Sequence, residues 1–271
     1  MEYNDSPLGK KMGVSEHVDP STLYFIERDK SKVRGIEDFA QIKLRGEDIW
    51  NCYEFSWLAK TGIPSAGVCR IRYESNSKFI VESKSLKLYL ASFYNTTFVS
   101  SSHVEETIYN ELNKHLMAAT LTVSVISLKD EERYSVINST GRAYCLDWLE
   151  NFSPELALEP DRETEDYVCS HVFRSLCPVT AQPDWATVEI HYKGRAVDRG
   201  SLLGYLISFR NHAAFHEEVC EQIYYDLYKL TEPSFLFVRC NFLRRGGIDI
   251  NPVRYSKGYN YNPMPTRLLR Q

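Results

Sequence analysis

The sequence predicts an α+β protein built from two tandem copies of one module, and three observations lead to that fold class. A segment of fifteen residues recurs 116 positions further along the chain. Alternating apolar runs, which are typical of strands with one buried face, precede both copies, and apolar residues at helical spacing follow them. Because a repeat of this length is too long for a solenoid unit, it indicates duplication of a whole module.

The repeat aligns residues 81–95 with residues 197–211, and eight of the fifteen aligned pairs are identical. Chance similarity between two amphipathic helices is the alternative explanation. It does not account for the same order of strands, helices and strand around each copy. The two copies are therefore expected to share their fold and to differ where they divide the chemistry.

Each module is predicted to begin with a strand and to continue into helices. The alternating strand residues are Cys69, Ile71 and Tyr73 in the first module and Val188, Ile190 and Tyr192 in the second. The first helix is predicted to begin at Ser83, before Leu86, Leu90 and Phe93 at helical spacing. In the second copy, apolar residues recur at roughly helical spacing over 209–230, and glutamates lie largely on the opposite face of this predicted helical stretch.

A further strand is predicted to follow the helices in each module, at residues 121–125 and from residue 235 to 243. Residues 150–165 contain two prolines and many acidic residues, so they are interpreted as a connector that ends near residue 160. The predicted modules are residues 1–160 and 161–271.

The composition is that of a folded globular protein, and it argues against several partners. The 271 residues are 43% hydrophobic and 25% charged, and the net charge is −4, so no basic field is available to hold a nucleic-acid backbone. No apolar run approaches the ~20 residues needed to cross a bilayer. We expect a cytoplasmic protein with no direct nucleic-acid or membrane partner, whose seven cysteines are free thiols.

The start of the first helix differs between the copies. Lys84 and Lys87 align with Gly200 and Leu203. Two lysines and the free N–H groups of a helix N-terminus would thus converge near Ser83, which favours phosphate binding. An N-cap serine followed by solvated lysines is the alternative, and the residues alone leave both open.

The second module contains a segment that the first lacks, Cys-Pro-Val-Thr-Ala-Gln-Pro-Asp from Cys177 to Asp184. A cysteine fixed by the following proline, with a carboxyl group seven residues later, can pair a nucleophile with a proton donor. A buried, inert thiol is the alternative, and it is the usual state of a cytosolic cysteine.

Two further segments contain residues that can carry chemistry. His212 and His216 lie one helical turn apart, as zinc ligands often do, but no H-E-x-x-H box and no Cys-x-x-Cys pair accompanies them, so no metal site is predicted. A capped helix start with solvated glutamates is the alternative there. Arg244-Arg245-Gly246-Gly247 is either a flexible, positively charged segment that binds an anion or only a basic turn.

Four motifs, in this order, resemble those of the nitrile reductases of queuosine biosynthesis, the NADPH-dependent 7-cyano-7-deazaguanine reductase family, in its long two-module form. They are Glu-Ser-Lys-Ser-Leu-Lys-Leu-Tyr from Glu82, the segment from Cys177 to Asp184, Asn-His-Ala-Ala-Phe-His-Glu from Asn211, and Arg-Arg-Gly-Gly-Ile-Asp-Ile-Asn-Pro from Arg244. The resemblance extends from Leu8 to the C-terminal region.

The resemblance implies a tunnelling fold (T-fold), in which each module is an antiparallel sheet backed by helices. The modules are expected to assemble into a barrel, and two chains to form a homodimer. It also implies NADPH as the cofactor and no metal. Two NADPH are needed per turnover because reduction of a nitrile to an amine takes four electrons. No G-x-G-x-x-G segment is present, so a Rossmann fold does not hold the cofactor.

The resemblance also implies roles for particular residues. Cys177 would add to the nitrile carbon as a thioimide, Asp184 would protonate the nitrogen, and His216 would supply or relay the proton for the second reduction. The implied substrate-binding residues are Val81, Glu82, Ser83, Phe215, His216 and Glu217. Those implied for the NADPH phosphates are Ser83, Lys84, Arg245 and Gly246. Glu217 would accept the N–H groups of a guanine-like edge, and Phe215 would stack on the ring.

Two other functions stay open from the sequence. One is a metal-dependent, cyclohydrolase-like enzyme for a pterin or purine ring on the same fold. The other is a non-catalytic module that binds a deazaguanine, although binding alone needs neither Cys177 nor Asp184.

Overall fold

The structure, a computed structural model, describes residues 13–33, 44–127, 144–149, 151, 153, 155–261 and 271. Its strands are β1 (Phe25–Glu27), β2 (Arg45–Ala59), β3 (Pro64–Glu74), β4 (Phe79–Val81), β5 (Thr97–Phe98), β6 (Leu121–Ser127), β7 (Tyr144–Cys145), β8 (Leu158–Leu176), β9 (Pro183–Val197), β10 (Phe235–Phe242) and β11 (Ile248–Tyr255). Its α-helices are α1 (Ser83–Ala91), α2 (Ser101–Leu116), α3 (Arg199–Ser208) and α4 (His216–Thr231). In the described ranges, no helix has the length and apolar character needed to cross a membrane.

The chain is a mixed α+β protein that divides into two compact units. The first unit takes the described residues of Met1–Asp29, Asp48–Tyr134 and Arg244–Ile250. The second takes those of Lys30–Glu47, Ser135–Leu243 and Asn251–Gln271. The start of the resemblance at Leu8 lies outside the described residues.

In the first unit, β3 lies between β2 and β6, and α2 packs against β6. β3 and β6 are antiparallel, with Gly67 opposite Ser127 and Tyr73 opposite Leu121. α2 buries one side chain per turn, namely Val104, Ile108, Leu112 and Leu116. A small antiparallel pair, β1 and β4, leads directly into α1.

In the second unit, β9 lies between β8 and β10 and pairs antiparallel with both. Alternate residues of β9 face the hydrophobic core, and Thr187 and Glu189 on its other face are buried too. The core joins them to apolar side chains of α3 and α4: Ala186, Val188, Ile190, Tyr192, Leu202, Leu206, Val219, Ile223 and Leu227. A buried ion pair fixes α4 to the end of β11, since Arg254 Nη2 lies 2.7 Å from Glu221 Oε1.

The two copies of the repeat have the same local structure. Acidic N-caps, Glu82 and Asp198, begin α1 and α3. Ser85 Oγ donates to the Glu82 carbonyl oxygen, and Ser201 Oγ donates to the Asp198 carbonyl oxygen. The second helix of each copy ends in a left-handed C-cap residue, Met117 and Glu232. The predicted order of strand, helices and strand is therefore found around both copies.

The interpretation of residues 150–165 as a connector is wrong for its second half, because β8 begins at Leu158. Charged residues of this half pair across the hairpin with basic residues of β9: Glu163 lies opposite Arg195, and Glu165 opposite Lys193. Cross-strand pairs of opposite charge stabilise an exposed strand. The acidic composition thus reflects a solvent-facing strand end.

The helical stretch predicted over 209–230 is interrupted. Phe209–Asn211 form a short 3₁₀ turn, and α4 begins only at His216. Residues 212–215 are extended because their backbone bonds to the neighbouring strand end, with Ala213 bridged to Leu176. This interruption places the start of α4 beside the end of β8.

Candidate active site

Cys177 follows the last residue of β8 and begins the turn that leads into β9. Its N–H donates to the carbonyl oxygen of Gln182 at 2.9 Å, and its own carbonyl oxygen accepts from Ala181 N–H at 3.0 Å. Ala181 has a φ of 53°, so the turn includes a left-handed residue. The thiol is partly exposed. Cys177 is therefore held at a fixed place in the hairpin and is not fully buried.

Asp184 lies on β9 directly opposite Ser175. Side chains two residues apart share a face of a strand, so the position of Cys177, two residues after Ser175, continues the face that carries Asp184. Ser175 is fully buried, and its Oγ has no hydrogen-bond partner among the described residues. The register thus predicts that a thiol, a hydroxyl and a carboxyl group share one side of the hairpin end.

Asp184 is 4% exposed, and its Oδ2 lies 3.2 Å from Nε2 of His216. The His216 ring stacks on Phe242 with ring centres 3.8 Å apart and planes 16° apart. The stacking fixes the plane of the imidazole, and the ring nitrogen lies within hydrogen-bonding distance of the carboxyl group. Asp184 and His216 can therefore accept and donate a proton as a pair.

The loop before α4 is attached to the residue that precedes Cys177. Leu176 N–H donates to His212 O at 2.9 Å, and Ala214 N–H donates to Leu176 O at 3.1 Å. Because these two bonds hold the loop against the end of β8, His216 and Cys177 are brought to the same end of the second unit. The contact depends on backbone atoms, so side-chain spacing could not have predicted it.

Phe215 and Glu217 flank His216 at the start of α4. Glu217 is 3% exposed and lies in the first helical turn, where the helix dipole favours a carboxylate. Glu218 accepts the Phe215 N–H at 3.0 Å and lies 3.5 Å from Lys32 Nζ. Burial raises the pKa of the Glu218 carboxyl, and the Phe215 N–H and Lys32 oppose that change. The start of α4 thus places two acidic side chains, Glu217 and Glu218, close to the aromatic ring of Phe215.

In the first unit, Glu82 is the N-cap of α1 and is almost fully buried. Its two carboxylate oxygens accept the N–H groups of Lys84 and Ser85, both at 2.8 Å. The expectation of free N–H groups at this helix start is therefore wrong for these two residues, because the preceding acid occupies them. Burial raises the pKa of Glu82, while the two N–H bonds lower it.

The arginine–glycine segment forms a tight turn in the first unit. Arg245 and Ile248 exchange backbone hydrogen bonds, and Gly246 and Gly247 both have positive φ, 57° and 77°. A Cβ on Gly246 would lie 2.9 Å from Lys87 Nζ. α1 and this turn are therefore neighbours, and the positive φ of Gly246 favours glycine at this position.

The structure groups the predicted site residues within the two units. The second unit holds Cys177, Asp184, Phe215, His216 and Glu217, and the first holds Val81, Glu82, Ser83, Lys84, Arg245 and Gly246. Two neighbours were missed: Lys32, which lies beside Phe215, and Phe242, which lies beside His216. Lys87, one of the two lysines predicted to favour phosphate binding, lies beside Gly246. Lys32 and Phe242 contact the site residues only in the folded chain, and no local sequence motif indicates these contacts.

Two family models match the chain. One, described as "Nitrile reductase, 7-cyano-7-deazaguanine-reductase N-term", matches residues 14–125. The other, described as "QueF-like protein", matches residues 183–260. The second match includes Asp184, His216 and the arginine–glycine turn.

Three curated relatives are similar to the chain over nearly its whole length, and each is named NADPH-dependent 7-cyano-7-deazaguanine reductase. The relative from Desulfotalea psychrophila is 41% identical over 98% of this chain and 97% of its own. Those from Dechloromonas aromatica and Paraburkholderia phytofirmans are each 40% identical, over 98% and 100% of this chain and 95% and 100% of their own. The chain therefore belongs to the NADPH-dependent 7-cyano-7-deazaguanine reductase family of oxidoreductases.

Proposed function

We propose that this chain reduces the nitrile of 7-cyano-7-deazaguanine to 7-aminomethyl-7-deazaguanine with NADPH, as a step of tRNA queuosine biosynthesis. The observation that carries the proposal is the grouping of Cys177, Asp184 and His216 at one end of the β8–β9 hairpin. The names of the relatives describe this activity. A binding protein would need neither a partly exposed thiol nor a paired acid.

The first step is covalent activation, because a free nitrile is a poor hydride acceptor. The thiol proton of Cys177 passes to the Asp184–His216 pair, and the sulfur forms a bond to the nitrile carbon. Asp184 delivers a proton to the nitrogen, so the triple bond becomes the C=N bond of a neutral thioimide. The short distance between Asp184 and His216 lets the pair hold the proton between these events.

NADPH, when bound, supplies one hydride to the reacting carbon in each of the two reductions. Cys177 leaves as the thiolate after the first reduction, when the C–S bond breaks and an imine remains. Asp184 and His216 supply one proton for each reduction. His216 supplies or relays the proton for the second reduction. The side chains of His216 and Asp184 are mostly buried, at 15% and 4% exposed, and this burial favours exclusion of water, which would otherwise hydrolyse the imine.

Substrate binding is assigned to the acidic start of α4 and to the segment before α1. Glu217 accepts the ring N–H and the exocyclic amine of the guanine-like edge, and Phe215 stacks on the ring. Lys32 Nζ lies 5.5 Å from the centre of the Phe215 ring and keeps that side chain in place. Val81, Glu82 and Ser83 are proposed as further substrate contacts.

Glu217→Gln is expected to weaken substrate binding by about 10- to 100-fold, with a smaller effect on kcat. The amide presents a donor where the carboxylate presents an acceptor, so one substrate N–H group loses its partner. Isothermal titration with 7-cyano-7-deazaguanine measures the change in Kd. Glu111→Gln, in α2 of the first unit, where Glu111 pairs with Lys114, is the control, and an equal loss in that variant would contradict the assignment.

The residues proposed for the NADPH phosphates are Ser83, Lys84, Arg245 and Gly246. Their chemistry fits the group: a hydroxyl, two cations and an exposed glycine in a turn with a φ of 57°. Lys87 also lies against this turn, where its Nζ is 3.3 Å from Glu54 Oε2. These side chains would hold and orient the cofactor.

We further propose that residues 1–160 and 161–271 are tandem T-fold modules, which assemble into a barrel within a homodimer. The matching caps and C-terminal left-handed residues of the two repeat copies support one shared module fold. Sedimentation at enzyme concentration is expected to give twice the mass of the chain.

The stoichiometry of NADPH use separates this function from its alternatives. We expect two NADPH oxidised per amine formed, measured as loss of the nicotinamide absorbance against product quantified by mass spectrometry. A cyclohydrolase would release a ring-opened product without NADPH, and a binding module would consume none. NADPH loss that does not depend on the nitrile, or no loss at all, contradicts the proposal.

A further inference from the structure

A second group of side chains in the second unit has no part in the proposed reaction. Cys145 Sγ, Cys169 Sγ and a ring nitrogen of His171 all lie within 4.8 Å of one another. Cys169 is buried, whereas Cys145 and His171 are partly exposed. The group is therefore enclosed by protein but can be reached from solvent.

Strand pairing builds this group. β7 pairs parallel with β8 and places Cys145 beside Cys169. His171 lies where the pairing of β8 with β9 shifts register, between Ser170 and Phe173, and its Nε2 lies 4.0 Å from Cys169 Sγ. Cys145 and Cys169 are 24 residues apart in the sequence, and the pairing of β7 with β8 brings them together.

Neighbouring polar groups orient the histidine. His171 Nδ1 lies 3.0 Å from Thr187 Oγ1, whose residue is 2% exposed. With Thr187 accepting from Nδ1–H, the lone pair of Nε2 points toward Cys169 Sγ, 4.0 Å away. Such a partner on the second nitrogen is typical of histidines that bind metals.

Asp147 holds the backbone around the same group. Its carboxylate accepts from Ser170 Oγ at 2.8 Å and from His171 N–H at 2.9 Å. Its Oδ2 also lies 3.4 Å from Cys145 Sγ. The carboxylate thus connects the turn after β7 to the strand that carries the other two side chains.

We propose that Cys145, Cys169 and His171 bind one Zn²⁺ ion. Two sulfurs and one imidazole nitrogen suit zinc, and a tetrahedral ion would place them about 3.5 to 3.8 Å apart. The observed limit of 4.8 Å requires only a small contraction. A water molecule takes the fourth position and donates to Asp147. The ion fixes residues 144–149 to β8, a structural role independent of nitrile reduction.

Cobalt(II) substitution tests the proposal directly. Protein purified under reducing conditions and stripped of metal is titrated with Co²⁺, and we expect one equivalent per chain, with thiolate-to-cobalt charge-transfer bands and tetrahedral d–d bands. Zn²⁺ should displace the cobalt. Cys169→Ser and His171→Gln are expected to lose most of this signal, whereas Cys177→Ala, which removes a partly exposed thiol elsewhere in the second unit, should keep it. Loss of the bands in Cys177→Ala would overturn the assignment.

Two further measurements keep the proposal testable if a ligand variant does not fold. Thr187→Val is expected to weaken cobalt binding by about tenfold, since it removes the partner of His171. In the unaltered chain, stoichiometric Zn²⁺ should protect Cys145 and Cys169, but not Cys177, from alkylation mapped by peptide mass. No uptake by the reduced chain, or a Cys145–Cys169 disulfide that forms in its place with zinc present, would overturn the proposal.

Discussion

Cys177→Ala is expected to lower kcat by about 10⁴-fold or more, because the variant has no sulfur to activate the nitrile. The thiol lies in the turn and does not form part of the core, so folding should be preserved. Binding of 7-cyano-7-deazaguanine should stay within a few-fold of its original Kd. Initial rates of NADPH oxidation and titration calorimetry measure these two quantities separately.

Thr180→Ala is the matched control for this variant. Thr180 lies in the same turn, and its Oγ1 makes only a long contact of 3.5 Å with the Gln182 N–H. Activity within about twofold of the unaltered enzyme is expected. Full activity in Cys177→Ala would show that another group activates the nitrile, and loss of substrate binding would show that the thiol acts before chemistry.

Asp184→Asn is expected to lower the rate of the first covalent step by about 10²- to 10⁴-fold, the usual contribution of a positioned acid. Asparagine keeps the size of the side chain and can still bond to His216, but it has no proton to deliver to the nitrile nitrogen. Stopped-flow absorbance of the enzyme mixed with the nitrile measures the rate. Substrate affinity should change little.

Asp161→Asn serves as the control for the charge change. Asp161 is exposed on the same hairpin and has a φ of 50°, a conformation that asparagine also tolerates. Its rate should match that of the unaltered enzyme. An Asp184→Asn rate equal to the control would mean that His216 or solvent supplies the proton.

The parts of the fold that depend on local pattern were predictable. α1 begins at Ser83 as expected, and β10 covers residues predicted to form a strand. The strand start at Leu158 was not predictable, since its acidic residues are paired only across the hairpin. The break before α4 was missed because Leu176 takes the backbone bonds that a helix would have used.

The candidate site, like the fold, could be predicted from the sequence only in part. The motifs identified Cys177, Asp184 and His216, and the structure places the last two 3.2 Å apart. Phe242, which stacks on His216, comes from a strand whose alternation indicates only a core position. The group of Cys145, Cys169 and His171 was missed because a search for close Cys-x-x-Cys spacing cannot find ligands that a strand pair brings together. Positions within motifs were predictable, and contacts between distant strands were not.

The bond between Cys177 and the substrate carbon is tested most directly by intact mass measurement. The unaltered enzyme, incubated with 7-cyano-7-deazaguanine in the absence of NADPH, should gain the mass of one substrate molecule per chain. Peptide mapping should place that mass on Cys177, and addition of NADPH should remove it with release of the amine. An unchanged mass, or the same adduct in Cys177→Ala, would contradict the account.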